Sequence, residues 1–205
     1  MSAPTAIVGV TEHGNSAVLV TVCLDGRLLD RRRIDLTPPG TPTHPHHHEG
    51  SWAVGRYLNT PGARRLSLAD AVSLVERVAH AAGMGARDAL DALATSVLVR
   101  ITGIALRSCP SLPATIEKRI KDSRTQTCAD TVMYRQALAS AATARGWFVH
   151  WYERERIFEE AAAARGCDDI APDLIAMGKA AGPPWTAHHK QAAAAAIAAG
   201  GSGRR

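Results

Sequence analysis

Three short strand-like segments follow one another near the N-terminus, and this feature constrains the fold most: the first two are rich in β-branched residues, and the third has apolar residues at Leu28, Ile34 and Leu36. They span residues 6–11 (Ala-Ile-Val-Gly-Val-Thr), 17–23 and 27–36. Gly14-Asn15 separates the first pair and Asp25-Gly26 the second, and these residue types tolerate the positive φ angles of tight hairpin turns. The pattern predicts three antiparallel strands joined in chain order.

The segment that follows breaks this pattern. Residues 37–62 are rich in Pro, Gly, Thr and His, a composition that predicts a long loop rather than a further strand. Ser67 stands where the N-cap of a helix belongs, with Asp70 three residues later. Gly83 and Gly85 are expected to end that helix.

The rest of the chain alternates between strands and helices. The apolar run 97–106 is typical of a central strand buried on both faces, and 147–152 predicts a fifth strand. Helices are expected over 114–145 with a break near Ser123, over 86–95, 155–165 and 173–181, and from Thr186 or Ala187 onward. The order predicts an α/β domain with a mixed five-stranded sheet and helices on both faces. One domain over 1–198 and a disordered tail over 199–205 are expected.

Composition narrows the class of protein. A chain of 205 residues suits one domain, and no apolar run is long enough to cross a bilayer. The N-terminus lacks the layout of a secretory signal. The four cysteines (Cys23, Cys109, Cys128 and Cys167) form no Cys-x-x-Cys pair, so free thiols in a reducing cytoplasm are expected. A net charge of +5 favours a polyanionic partner such as DNA or RNA.

Two short motifs add a family resemblance to the element order. Ile7-Val8-Gly9-Val10 opens the first predicted strand, and His188-His189-Lys190-Gln191-Ala192 opens the last predicted helix. With these motifs the chain resembles the ribonuclease H-like superfamily, and in detail the RuvC-type junction resolvases, over roughly residues 5–198. The element order itself implies that the first strand lies beside the fourth.

The resemblance also implies an active site that this sequence does not match. Active members hold two divalent cations between carboxylates on the first strand, the fourth strand and a helix. The corresponding positions here are Thr11, Leu106-Arg107-Ser108 and Gln191, which are neutral or basic. Glu12 is one residue late and should point to the other face of its strand. Glu153 should reach the sheet end only with a different strand order.

The leading hypothesis is therefore a nucleic-acid-associated or regulatory module without the usual two-metal site. The resemblance brings the start of the last helix beside the end of the first strand, so Arg107, His188, His189 and Lys190 are candidates for binding phosphate. A helix N-terminus flanked by Lys and His attracts anions. The alternative is an ordinary polar first turn, docked by Pro183-Pro184-Trp185.

A histidine-rich segment, Thr43 to Gly50, supports a second hypothesis. Imidazole and carboxylate groups suit zinc, manganese or iron. His46, His48 and Glu49, with Glu12 and His13, could form a non-standard site for a divalent metal (Zn, Mn or Mg) in a metal-dependent hydrolase or nuclease. One alternative is a solvated loop whose histidine rings form local hydrogen bonds. Another is that His48 and Glu49 pair and hold the loop against the sheet, with Trp52 as a packing anchor.

A third hypothesis is a structural or oligomeric partner protein. The third predicted strand could serve as an exposed pairing edge, for instance in a homodimer. Enzymes that bind a nucleotide cofactor through a glycine-rich phosphate loop or a Rossmann motif are disfavoured, because neither motif is present.

Overall fold

The computed structural model describes residues 4–46 and 66–202. In that part the strands are β1 (Thr5–His13), β2 (Ser16–Cys23), β3 (Leu28–Asp35), β4 (Arg100–Arg107) and β5 (Phe148–Tyr152). The helices are α1 (Leu68–Ser96), α2 (Ile116–Lys121), α3 (Ser123–Ala144), α4 (Ile157–Arg165), α5 (Ala171–Ala181) and α6 (Ala187–Ser202). None of these helices combines the length and the apolarity that a bilayer crossing requires.

The five strands form one mixed sheet in the order β3-β2-β1-β4-β5. The pairs β1–β2 and β2–β3 are antiparallel, whereas β1–β4 and β4–β5 are parallel. The predicted neighbours, the first and fourth strands, are confirmed. Because β1, β4 and β5 run in the same direction, their carboxyl ends meet at one edge of the sheet.

Both faces of the sheet are covered by helices. Val8 and Val10 of β1 belong to the core beneath α1 and α3, while Ile7 belongs to the core beneath α4, α5 and α6. Side chains alternate between the faces of a strand, so Thr11 and Glu12 point in opposite directions. The mixed α/β fold predicted from the element order is confirmed.

The first helix is longer than predicted. Ser67 is its N-cap, and its hydroxyl accepts a hydrogen bond from the backbone N–H of Asp70. The helix then continues through Gly83 and Gly85, so the predicted break is wrong. A Cβ atom on Gly85 would lie 2.3 Å from the carbonyl oxygen of Leu36, so this glycine permits close packing against the chain that leaves β3. The buried apolar stripe of α1 offsets the low helix propensity of glycine.

The predicted break near Ser123 is confirmed. Asp122 separates α2 from α3 and has an extended backbone conformation. Its side chain accepts a hydrogen bond from the backbone N–H of Arg124 and so caps α3. The same residue therefore ends one helix and begins the next.

The alanine-rich last helix belongs to the core. Residues 192–199 are at most 7% exposed, and α6 continues to Ser202, so the boundary predicted for a disordered tail after 198 was too early. Small side chains let the helix backbone approach the sheet closely. At Gly9 a Cβ atom would lie 1.8 Å from the carbonyl oxygen of Ala192.

The third strand is an edge of the sheet, as the pairing hypothesis requires. Its sequence, however, carries three consecutive arginines, Arg31 to Arg33, between Asp30 and Asp35. Charged side chains on an edge strand oppose addition of another strand. Homodimerisation through β3 stays a prediction.

Candidate functional site

The carboxyl end of β1 is bonded to the first turn of α6. Thr11 is 6% exposed, and its hydroxyl donates a hydrogen bond of 3.1 Å to the carbonyl oxygen of His188. This bond and the close contact at Gly9 hold the start of α6 against β1. The neighbourhood expected for Thr11 and the last helix is therefore present.

Tyr152, at the end of β5, completes this neighbourhood. Its hydroxyl donates to the carbonyl oxygen of Val10 over 2.9 Å and accepts from the side-chain amide of Gln191 over 3.4 Å. Burial, reinforced by the negative charge of Glu12, raises the pKa of Tyr152 far above its usual range, so the phenol stays neutral. We call Thr11, Tyr152 and Gln191 the strand-end layer.

Tyr152 is not among the site residues that the sequence pattern predicts. No signal in the sequence marked this position, because Tyr152 lies beside Arg107 only through the parallel pairing of β4 with β5.

Glu12 points to the opposite face of the sheet, as predicted, and meets Arg135 of α3. Both side chains are 5% exposed. The Nε atom of Arg135 donates to a Glu12 carboxylate oxygen over 2.6 Å, and its Nη1 atom donates to the carbonyl oxygen of Ser108 over 2.7 Å. The carboxylate that the sequence offers nearest the expected metal site is thus neutralised by a buried guanidinium.

Arg107 lines a cleft beyond the end of β4. The cleft has a volume of about 510 Å³ and is lined by Arg107, Ser108, Cys109, Pro110, Thr127, Cys128, Thr131, Arg135 and Glu153. Arg107 forms no ion pair with any described residue. Glu153 also lines this cleft, at the end of the sheet. From the sequence, Glu153 is expected to reach the sheet end only if β1 does not lie beside β4; the two strands do pair, so that expectation is wrong. Burial raises the pKa of the Cys109 thiol, although Arg135 opposes this effect.

The first turn of α6 carries the other predicted cations. The Nδ1 atom of His189 lies 2.9 Å from the hydroxyl of Thr186 and accepts a hydrogen bond of 3.2 Å from its backbone N–H, so His189 caps the helix. Burial, together with the charges of Arg31 and His188, lowers the pKa of His189. Lys190 lines a separate groove beside Trp185. Arg107 and Lys190 therefore face different recesses at one end of the sheet.

His46, one of the predicted metal ligands, is buried beside Asp130 of α3. It is 1% exposed, and its backbone N–H donates to an Asp130 carboxylate oxygen over 3.0 Å. Its Nδ1 atom lies 2.8 Å from the same oxygen, while Nε2 is buried and has no hydrogen-bond partner among residues 4–46 and 66–202. His48 and Glu49 lie outside the described residues.

The structure does not bring His46 together with Glu12 and His13. Glu12 is held by Arg135, and among residues 4–46 and 66–202 no three His, Cys, Asp or Glu side chains lie close enough to hold a metal ion. Asp130 was not predicted as its partner. A signal for both Asp130 and Arg135 is that they fall within the buried stripe of α3, where charged groups require partners.

The mixed sheet, with β1 beside β4 and helices on both faces, has the arrangement of the ribonuclease H-like fold. The solved structure of Thermus thermophilus RuvC in complex with a Holliday junction substrate is similar over 98% of this chain and 95% of that one, with 14% identity and a TM-score of 0.51. A second T. thermophilus RuvC structure gives 97% and 95% coverage, 12% identity and a TM-score of 0.49. No family model and no curated protein matches the sequence. The similarity to the junction complex establishes the fold, and it confirms the resemblance to RuvC for the fold alone.

Proposed function

We propose that this protein is a nucleic-acid-binding or regulatory module of the ribonuclease H-like fold that does not use two-metal hydrolysis. The observation that carries the proposal is the strand-end layer. Where β1, β5 and α6 meet, Thr11, Tyr152 and Gln191 are neutral and hydrogen-bonded either to one another or to backbone carbonyls.

The chemistry of these groups argues against a magnesium pair. Divalent hard cations are held in such sites by carboxylate oxygens, which supply negative charge as well as ligands. The hydroxyl of Thr11 is engaged by a carbonyl, and Arg107 adds positive charge at the end of β4. Glu12 faces the other side of the sheet and is paired with Arg135.

Binding to nucleic acid is supported by the basic side chains at the same end of the sheet. Arg107 faces the cleft without an ionic partner among the described residues, and His188 and Lys190 lie in the first turn of α6. Basic side chains that contact nucleic-acid phosphates increase the affinity of binding, because they release condensed counterions. The structural neighbour that carries a Holliday junction supports DNA as the partner class.

The test is a binding titration by fluorescence anisotropy with labelled single strands, duplexes and a four-way junction, in the presence of a chelator. We expect binding that weakens as salt increases. A parallel nuclease assay with Mg²⁺ or Mn²⁺ should show no cleavage above a no-protein control. Absence of affinity at low salt would refute the binding function. Metal-dependent cleavage would refute the proposal that the protein does not use two-metal hydrolysis.

A second candidate, a metal-dependent hydrolase, is favoured by His46. In many metal-binding histidines one ring nitrogen binds the metal and the other is hydrogen-bonded to a carboxylate. Asp130 contacts Nδ1 of His46 in this way, which would leave Nε2 for a metal. In this candidate His48 and Glu49 would supply further ligands.

Elemental analysis of purified protein tests this candidate. Stoichiometric zinc or manganese that is lost in His46→Gln and kept in His80→Gln, an exposed histidine on α1, would support it. No bound metal and no change in melting temperature on adding either ion would remove it.

A further inference from the structure

An open groove lies between α5 and the start of α6. Its volume is about 440 Å³, and it is lined by Ile175, Gly178, Lys179, Gly182, Pro183, Trp185 and Lys190. Ile175 is 48% exposed and contributes, with Trp185, an apolar surface. Lys179 and Lys190 supply positive charge, and none of the described lining residues is acidic.

The indole of Trp185 is held in place on α5. Its Nε1–H donates to the carbonyl oxygen of Leu174 over 3.0 Å. Gly178 makes room for the ring, since a Cβ atom there would lie 2.3 Å from Cδ1 of Trp185. The His189 ring lies near the indole, with 5.6 Å between ring centroids.

The segment between α5 and α6 is also fixed from the sheet. The guanidinium of Arg31, on β3, donates to the carbonyl oxygens of Ala181, Gly182, Pro183 and Pro184. Four backbone acceptors on one guanidinium hold the rim of the groove in one conformation. The groove is therefore preorganised, which lowers the entropic cost of binding a ligand.

We propose that this groove binds one unpaired nucleotide of a single-stranded nucleic acid, with the base against Trp185 and Ile175 and the phosphate beside Lys179 and Lys190. An aromatic surface next to cations is the combination that recognises single strands, because every unstacked base exposes an apolar face. Bases within a duplex are already stacked and cannot enter. The proposal rests on the nucleic-acid-binding function proposed above and specifies the form of nucleic acid.

The electrostatics of the surroundings agree with an anionic ligand. Besides burial, Arg31 and His188 lower the pKa of His189, which is the effect expected of neighbouring positive charges. The negative charge nearest in the chain, Asp173 of α5, lies 3.4 Å from Arg165 and is thus compensated. A phosphate in the groove would accordingly meet a net positive field.

The experiment measures anisotropy of labelled oligo(dT), oligo(rU) and a duplex with the full chain. Trp185→Leu should weaken single-strand binding about tenfold and duplex binding far less, whereas Trp185→Phe should retain most of the affinity. The matched control is Trp151→Leu, which removes a tryptophan that is 44% exposed on β5 and should leave both affinities unchanged. The dT and rU arms decide between DNA and RNA.

The two lysines provide a test that does not disturb the packing of the indole. Lys179→Gln and Lys190→Gln should each reduce the slope of log affinity against log salt for single strands by about 0.7. Lys118→Gln, an exposed lysine on α2, serves as control. Unchanged slopes for both groove variants would overturn the proposal.

The remaining outcomes separate this inference from the proposed function. Duplex or junction binding by the wild type without single-strand binding would overturn the groove proposal alone. Single-strand affinity unchanged in Trp185→Leu, or lost equally for single strands and duplex, would also overturn it. Absence of binding to every nucleic acid would overturn the proposed function itself.

Discussion

Gly9 of β1 and Ala192 of α6 meet backbone to backbone: a Cβ atom on Gly9 would lie 1.8 Å from the carbonyl oxygen of Ala192. This contact brings the first turn of α6 to the end of β1, where Thr11 bonds the carbonyl of His188. The position of the strand-end layer therefore depends on the absence of a side chain at residue 9.

Gly9→Ala should destabilise the protein by about 3 kcal/mol or more, because a methyl group can fit only if the helix and strand move apart. The measurement is the free energy of unfolding from urea denaturation. The matched control is Gly83→Ala in the middle of α1, where, beyond the adjoining residues and backbone of the helix itself, no described atom lies within 4 Å of the added methyl. That variant should gain up to about 1 kcal/mol from helix propensity. Equal stability of the two variants would contradict the close contact.

Arg135→Met should destabilise the protein by about 3–5 kcal/mol, because it leaves the Glu12 carboxylate buried without its partner. The double variant Glu12→Leu with Arg135→Met should recover much of this loss. Denaturation of the four proteins in the cycle gives the coupling energy. Arg33→Met is the control, since Arg33 and Asp35 are more than 60% exposed, and its effect should stay within about 0.5 kcal/mol.

His150 predicts a pH-dependent term in stability. Burial lowers its pKa below the usual value of about 6.5, although Glu160 acts in the opposite direction. Its Nε2 atom is buried and has no hydrogen-bond partner in the described part of the chain. The unfolded chain then binds this proton more readily, so stability falls as the pH drops from about 6.5 towards the folded-state pKa.

His150→Leu should therefore be more stable than the wild type, with the larger gain at about pH 5 than at about pH 8. Urea midpoints at both pH values provide the comparison. The exposed His80→Leu should show no such difference, and a gain for His150→Leu that is independent of pH would contradict the assignment.

Arg107→Gln should reduce the salt dependence of duplex binding by about one unit of slope if Arg107 contacts a phosphate. Anisotropy over a salt series measures it. Arg77→Gln replaces an exposed arginine on α1 and should leave the slope unchanged. A slope that is the same in both variants would remove Arg107 from the binding surface.

Local patterns predicted most of the elements. The turn signals at Gly14-Asn15 and Asp25-Gly26 lie between the observed strands β1, β2 and β3, and Ser67 caps α1 as predicted. These features depend on a few neighbouring residues, whose backbone preferences act over short distances. The break predicted at Gly83 and Gly85 was wrong because contacts along the whole helix outweighed a local propensity.

The candidate site likewise combines features that the sequence predicts with features that depend on contacts between distant residues. The neutral residues at Thr11 and Gln191 and the opposite orientation of Glu12 could be read from the sequence, because they follow from residue identity and from the alternation of side chains along a strand. Tyr152 in the strand-end layer, Arg135 beside Glu12 and Asp130 beside His46 could not, since each pairs residues more than 80 positions apart.

By itself, then, the sequence determined the order of the elements, the mixed sheet and the absence of carboxylates at Thr11, Arg107 and Gln191. Tertiary structure alone decided which buried charges became partners, and that the predicted alanine-rich last helix is buried in the core and continues to Ser202. The physical reason is that burial and pairing depend on what packs opposite a residue, which no local pattern along the chain records.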